Sequence, residues 1–200
     1  MSRFLNKLAS FRKQPRSSRG QSLVELAIVL TLLLFIVIAI VEYGFLLNQY
    51  LDVLDAGRET ARQASLGDPF YDDGTLDGQF FTDIVALADN FLLPIELDPE
   101  EDDLVISFFS VTNGTVVRFP DADGWNRYGN HDTQLTSADI EARLDGSAPA
   151  TGVLLIEIYY NYWQTLNLPI FSNIIPNPIQ LYTYAIMPLS AAEPTPTPMP

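Results

Sequence analysis

The chain has 200 residues, enough for one membrane anchor and one small domain but not for two large cores. It contains 25 acidic and 11 basic residues, and its formal net charge of −14 argues against nucleic-acid binding, because phosphate would be repelled. It contains no cysteine, which excludes disulfides, thiolate metal sites and thiol catalysis.

The basic residues are concentrated at the amino terminus. Residues 1–20 contain six of the 11 basic residues and no acidic residue. All 25 acidic residues therefore lie in residues 21–200. Because cations collect on the cytoplasmic side of a membrane span, we expect a cytoplasmic N-terminus and an extracytoplasmic C-terminal domain.

An apolar run follows the basic segment. It extends from Leu26 to Leu47 and is interrupted only by Thr31, Glu42 and Gly44. As a helix, about 22 residues would measure roughly 33 Å, which is enough to cross the bilayer core. No A-x-A pattern follows the run, so we expect it to remain in the mature protein as a single-pass anchor in the cytoplasmic membrane.

Glu25 lies at the start of this run and has two interpretations. Ser22 and Glu25 match the S-x-x-E capping box, which would place a helix start there. The stretch "RG-QSLVE-LAIVL" also resembles the type III signal of the type IV prepilin superfamily. That resemblance implies that a prepilin peptidase cuts between Gly20 and Gln21. Glu25 would then be the fifth residue and would pair with a freed α-amino group to set the register of subunits.

A second resemblance extends further along the chain. The stretch "IVEYGFLLNQYLDVLDAGRETARQAS" is similar to the TadE/TadG-type family of the tight-adherence (Flp) pilus, over roughly residues 18–65. The matching residues are Glu42, Tyr43, Gly44, Arg58 and Arg62. The resemblance implies a minor pilin or pseudopilin without enzymatic activity, whose partners are the membrane, a prepilin peptidase and other pilin subunits. The major pilins of that system are very short and have Glu-Tyr where this chain has Glu25-Leu26, which argues against a major pilin.

The helical pattern continues beyond the apolar run to a Gly-Asp-Pro stop at residues 67–69. We expect a leader at residues 1–20, a transmembrane and juxtamembrane helix at 21–66, and an extracytoplasmic domain at 67–190. Residues 191–200 are rich in Pro and Thr and are predicted to be a disordered tail.

The predicted domain is α+β, with about four antiparallel strands and one or two short helices. Its predicted elements, in chain order, are a helix at 79–93, a hairpin around Asn113-Gly114, a short helix from 136 to about Gly146, a strand at 151–163 and a last strand at Gln180–Met187. The order of strands in the sheet does not follow from the sequence.

One loop is a candidate calcium site. Its hard oxygen ligands are Asp121, Asp123, Asn126, Asn130 and Asp132. The alternative is a polar surface turn, because the spacing does not match an EF-hand. His131 is the one histidine, and no G-x-S-x-G, Walker or G-x-G-x-x-G motif is present, so we expect no enzyme. The rival function is an uncleaved, single-span binding module for calcium or a glycan.

Overall fold

The computed structural model describes residues 18–71, 74–112, 115–142, 152–166 and 175–189. Its elements are α1 Ser18–Ala64, α2 Gly78–Leu92, β1 Asp103–Thr112, β2 Thr115–Phe119, β3 Trp125–Asn126, α3 Ser137–Glu141, β4 Gly152–Tyr162 and β5 Ile179–Leu189. The predicted α+β class is confirmed. The chain divides into two compact units, one ending at Tyr43 and one beginning at Gly44.

The first unit contains the apolar part of α1. Among the described residues, α1 is the one helix long and apolar enough to cross a membrane. The most apolar 18-residue window has a mean hydropathy of 3.1, and 0% of it is buried inside the molecule. The core helix of a soluble protein would bury such a surface, so this helix requires lipid or neighbouring helices around it.

The second unit is a sheet with α2 and the juxtamembrane part of α1 on one face and α3 on the other. The strand order is β2-β1-β4-β5, with β3 also paired to β1, and every pairing is antiparallel. Thr112 lies opposite Thr115, as a two-residue hairpin requires, although Asn113-Gly114 themselves lie outside the described residues. The predicted hairpin strands are therefore confirmed. The position of β4 between β1 and β5 did not follow from the sequence.

The juxtamembrane part of α1 packs closely on the sheet. Val53, Ala56 and Ala61 are buried in the main core, which also contains Ile156 and Ile158 of β4. A Cβ added at Gly57 would lie 3.3 Å from Ile158 Cδ1, so glycine allows the helix backbone to approach the strand. The small residues of the helix thus set the distance between the two layers.

The opposite face of the sheet is covered by the chain between β2 and α3. Residues of β4 alternate between the faces, as predicted: Ile156 joins the main core, whereas Leu155 belongs to a second cluster with Phe109 and Ile140. Glu157 lies on that second face and accepts hydrogen bonds from the covering loop.

The predicted helix ends mostly agree with the structure. Asp77 caps α2 by accepting from the Gln79 amide, and the helix ends at Leu92, before Pro94. Thr136 and Asp139 form a capping box for α3, which ends at Glu141, while the predicted end near Gly146 lies outside the described residues. Most of the predicted leader and the predicted tail also lie outside them.

Candidate processing and assembly site

The predicted processing site lies in the first turns of α1. Gly20, Gln21 and Glu25 are all exposed helical residues. Gln21 Nε2 donates to Glu25 Oε1 over 3.2 Å, one helical turn away. Because α1 begins at Ser18, Ser22 is inside the helix and the predicted capping box is wrong in the uncut chain. The glutamate has an amide partner instead of a backbone cap.

The Glu-Tyr-Gly motif lies at the end of the apolar run. Tyr43 is 63% exposed, whereas Glu42 is half-buried. A Cβ added at Gly44 would meet no atom within 4 Å. No packing within the described chain therefore requires glycine at this position, and the surface there is open to another helix.

The two motif arginines lie on the solvent-facing side of α1. Arg58 pairs with Asp55 over 3.5 Å, and Arg62 pairs with Glu59, both at i,i+3 spacing as predicted. Both guanidinium groups remain more than half exposed, at 59% and 57%. Exposed pairs of this kind contribute little to stability, because water and salt screen them.

The predicted calcium loop is organised around a residue that the sequence analysis missed. Asp103, at the start of β1, is fully buried. Its Oδ1 accepts from the Tyr128 amide over 3.0 Å, and its Oδ2 accepts from Asn130 over 2.7 Å and His131 over 3.1 Å. Main-chain amides therefore use the Asp103 oxygens, which a cation would otherwise bind.

Hydrogen bonds within the domain engage the side chains of three of the five predicted ligands. Asp121 accepts from the Asp123 amide, Asn126 Nδ2 donates to the His131 carbonyl, and Asn130 Nδ2 donates to the Pro99 and Asp102 carbonyls. The main-chain carbonyl of Asp132 accepts a hydrogen bond from the Tyr159 hydroxyl. In the described ranges, no group of three or more His, Asp or Glu side chains could hold a metal. Calcium binding by this loop stays a prediction.

A buried polar network connects the loop to the sheet. Arg118 donates to Ser107 Oγ and Thr133 Oγ1, and Thr133 in turn donates to Glu157. The pKa of Arg118 lies below its ordinary value because the side chain is buried, and the nearby Glu157 carboxylate offsets part of this shift. The three Arg118 nitrogens and the Thr133 hydroxyl all have acceptors, which is the arrangement of a structural network.

His131 is part of the same surface. Its ring stacks on Tyr159 with centroids 4.5 Å apart, and its Nε2 lies 3.1 Å from the Glu101 carbonyl oxygen. Burial raises the pKa of Tyr159, which keeps the phenol neutral and able to donate to the Asp132 carbonyl. The histidine thus has packing and hydrogen-bond partners in the domain itself.

An exposed apolar helix followed by a small α+β domain indicates a single-pass membrane protein. Residues 20–62 match the family described as TadE-like protein, which confirms the predicted resemblance. The match supports a protein associated with the tight-adherence pilus, and the matched family is itself structural and non-enzymatic. No curated protein and no solved structure matches the chain.

Proposed function

We propose that this protein is a minor pilin or pseudopilin that takes part in assembly of a tight-adherence pilus or a related secretion apparatus. The observation that carries the proposal is the coincidence of the TadE-like match, residues 20–62, with a continuous helix whose apolar surface is unburied. Such a helix can be stored in lipid and later packed against the helices of other subunits. The work of the protein is then mechanical, without turnover.

The proposed processing step is hydrolysis of the Gly20–Gln21 peptide bond by a prepilin peptidase. Water is added, so that Gly20 receives a carboxylate and Gln21 an α-ammonium group. Two features support access: both residues are exposed, and a Cβ added at Gly20 would meet no atom within 4 Å. The bond lies in the first turn of α1, where the amides have no intrahelical acceptors and unwinding breaks few hydrogen bonds.

Cleavage would give Glu25 a charged partner. In the uncut chain, Glu25 accepts from the neutral Gln21 amide. A carboxylate at the edge of an apolar segment is costly without a cation, and the new α-ammonium group of this or a neighbouring subunit supplies one. Pairing between subunits would fix the register of their helices. The proposed orientation is a cytoplasmic N-terminus and an extracytoplasmic domain, since the cations lie before the apolar run.

The test is the identity of the mature N-terminus. We expect the wild-type protein to begin at Gln21 and Gly20→Val to keep its leader, as read by intact mass and N-terminal sequencing. Gly78→Val is the matched control, because Gly78 is also exposed with open space around it. A wild-type protein that begins at Met1, or a Gly20→Val variant that is processed normally, would overturn the proposal and favour the uncleaved binding module.

A further inference from the structure

Two contacts between β4 and α1 show in which direction β4 runs along the helix. Ile158 lies against Gly57, and two residues further along the strand the Tyr160 hydroxyl donates to Gln49 Oε1 over 3.2 Å. The strand therefore runs back along the helix toward Gly44, where the second unit begins. The end of β4 lies on the side of this unit from which the apolar part of α1 emerges.

The level of this end follows from helix and strand dimensions. Gln49 is two residues beyond Leu47, the last residue of the apolar run, or about 3 Å along the helix axis. Beyond Tyr160, β4 continues to Tyr162, and Trp163 follows. Three residues of extended chain span about 10 Å, so Trp163 lies beyond Tyr160 in the direction of Leu47.

Exposed apolar side chains follow β4 at this end, where the Gln164 amide donates to Asn177 Oδ1 over 3.0 Å and so holds the segments around these two residues together. Trp163 is 54% exposed, and Leu166 and Ile175 are each 40% exposed. We call these three residues the apolar rim. Residues 167–174 lie outside the described residues and are not part of it. Tryptophan beside aliphatic side chains is typical of a protein surface that rests in the headgroup region of a bilayer.

The charge distribution distinguishes this region from the rest of the domain. No Asp, Glu, Lys or Arg occurs from Ile158 to Ala192, in a chain with a formal net charge of −14. Burial of the apolar rim in an interface therefore removes no charge from water, which is the largest cost that lipid contact could impose.

One acidic turn lies close to the rim and limits the choice of lipid. Asp102 Oδ1 accepts from the Asn161 amide over 2.7 Å, and the Glu101 carbonyl accepts from Asn161 Nδ2 over 2.8 Å. This turn is therefore level with Asn161, two residues before Trp163. Its carboxylates would be repelled by anionic headgroups but not by zwitterionic ones.

We infer that the apolar rim is a second membrane contact, which inserts between the headgroups of zwitterionic phospholipids. The contact fixes the tilt of the domain on the bilayer without any further membrane span. The inference rests on the anchor and not on cleavage at Gly20, so the two can fail independently.

The absence of cysteine from the chain makes a direct test possible. Leu166→Cys and Val117→Cys are spin-labelled in the full chain, reconstituted at one copy per phosphatidylcholine nanodisc. The two positions are similarly exposed, at 40% and 37%, but Val117 pairs with Ser110 at the opposite end of the sheet. We expect the label at 166 to be more accessible to oxygen than to a water-soluble nickel complex, and the label at 117 to show the reverse.

The composition of the nanodisc provides the second arm. Replacing part of the phosphatidylcholine by phosphatidylglycerol should shift the label at 166 toward water, because of the acidic turn. Equal nickel accessibility at 166 and 117 in phosphatidylcholine would overturn the inference. Protection of 166 that appears only with several copies per disc would also overturn it, since the rim would then contact another subunit.

Tryptophan fluorescence gives an independent measurement without a label. Trp125→Phe leaves Trp163 as the one tryptophan, and Trp163→Phe leaves Trp125, which stacks on Phe81 with centroids 5.5 Å apart. Brominated phosphatidylcholine should quench the fluorescence of Trp163 and leave that of Trp125 unchanged. Equal quenching of the two, or none, would count against insertion of the rim.

Discussion

Arg118 and Glu157 form an ion pair that is buried between the sheet and its covering loop. Arg118 Nη2 lies 3.8 Å from Glu157 Oε2, and the two side chains are 4% and 0% exposed. Thr133 bridges them, and Gln134 and Tyr182 also donate to the Glu157 carboxylate. The pair connects β2, the loop and β4, so the covering loop depends on it.

Removing the arginine should strongly destabilise the domain. Arg118→Met leaves Glu157 buried without its cation, which typically costs about 3–5 kcal/mol. The free energy of unfolding is measured for the full chain in detergent micelles by urea titration, followed by near-ultraviolet circular dichroism. Arg58→Met is the control, because its pair with Asp55 is exposed and should change stability by about 0–1 kcal/mol. Equal losses in the two variants would contradict the assigned role.

Asp103 should be the residue that orders the loop after β2. An asparagine at 103 offers one acceptor oxygen instead of two, so amides of Tyr128, Asn130 or His131 lose their partner. Asp103→Asn should cost about 1–3 kcal/mol and increase amide exchange across residues 126–132, as measured by hydrogen–deuterium exchange. Asp121→Asn, which affects one exposed contact with Asp123, should leave exchange in that range unchanged.

Features that depend on neighbouring residues in sequence were predictable. The apolar run predicts the long helix, and Pro94 predicts the end of α2. The β-rich runs around Asn113-Gly114 predict β1 and β2, and alternation predicts β4 and β5. Each of these signals is local, since burial on one face and backbone preference are read from residues within one or two turns. The capping box at Ser22 failed for the same reason: the motif is local, but the helix had already begun at Ser18.

The organising residues of the loop could not be predicted in this way. Asp103 is bonded to residues 25, 27 and 28 positions away, and all three contribute only main-chain amides. No side-chain pattern reports such a contact. Arg118 and Glu157 likewise come together only because β1 lies between β2 and β4, and that strand order depends on long-range pairing.

The stability of the domain should fall at alkaline pH. Burial, followed by the hydrogen bond to Glu157, raises the pKa of Tyr182 above its ordinary value. The folded state then retains a proton that the unfolded state releases above pH of about 10, so the free energy of unfolding decreases as the pH rises beyond that point. Tyr182→Phe should make this decrease shallower, since one of the titrating groups is removed. Urea titrations at neutral and alkaline pH test this.

The same variant has a second expected effect at neutral pH. The Tyr182 hydroxyl donates to Glu157 Oε1 over 2.7 Å, and its loss should cost about 1–3 kcal/mol. Tyr184→Phe is the control, because Tyr184 is 41% exposed. An unchanged alkaline slope in Tyr182→Phe would show that this phenol does not retain its proton in the folded state.

The two glycines of the juxtamembrane region should differ in their tolerance of side chains. Gly57→Leu would place atoms into Ile158, which is fully buried, and overpacking of this kind costs about 1–3 kcal/mol. Gly44→Leu meets open space and should leave the unfolding of the domain unchanged. Urea titration of both variants in micelles compares them. If Gly44→Leu were the more destabilising variant, the result would contradict the close contact of Gly57 with Ile158.

Glu25 should be needed for assembly and not for leader removal. Glu25→Gln keeps a side chain that can bond to Gln21 but removes the charge that would pair with an α-ammonium group. We expect normal cleavage by intact mass and several-fold less disulfide crosslinking between Ile28→Cys chains in membranes, because Ile28 is 65% exposed on the same helix.

Asp52→Asn provides the matched control for that variant. Asp52 is also an exposed acid of α1 that accepts from an amide one turn earlier, Asn48, over 2.9 Å. It lies beyond the apolar run, where water solvates its charge, so its neutralisation should leave crosslinking unchanged. If both variants lose crosslinking equally, general surface charge guides assembly. If neither does, Glu25 does not set the register of the subunits.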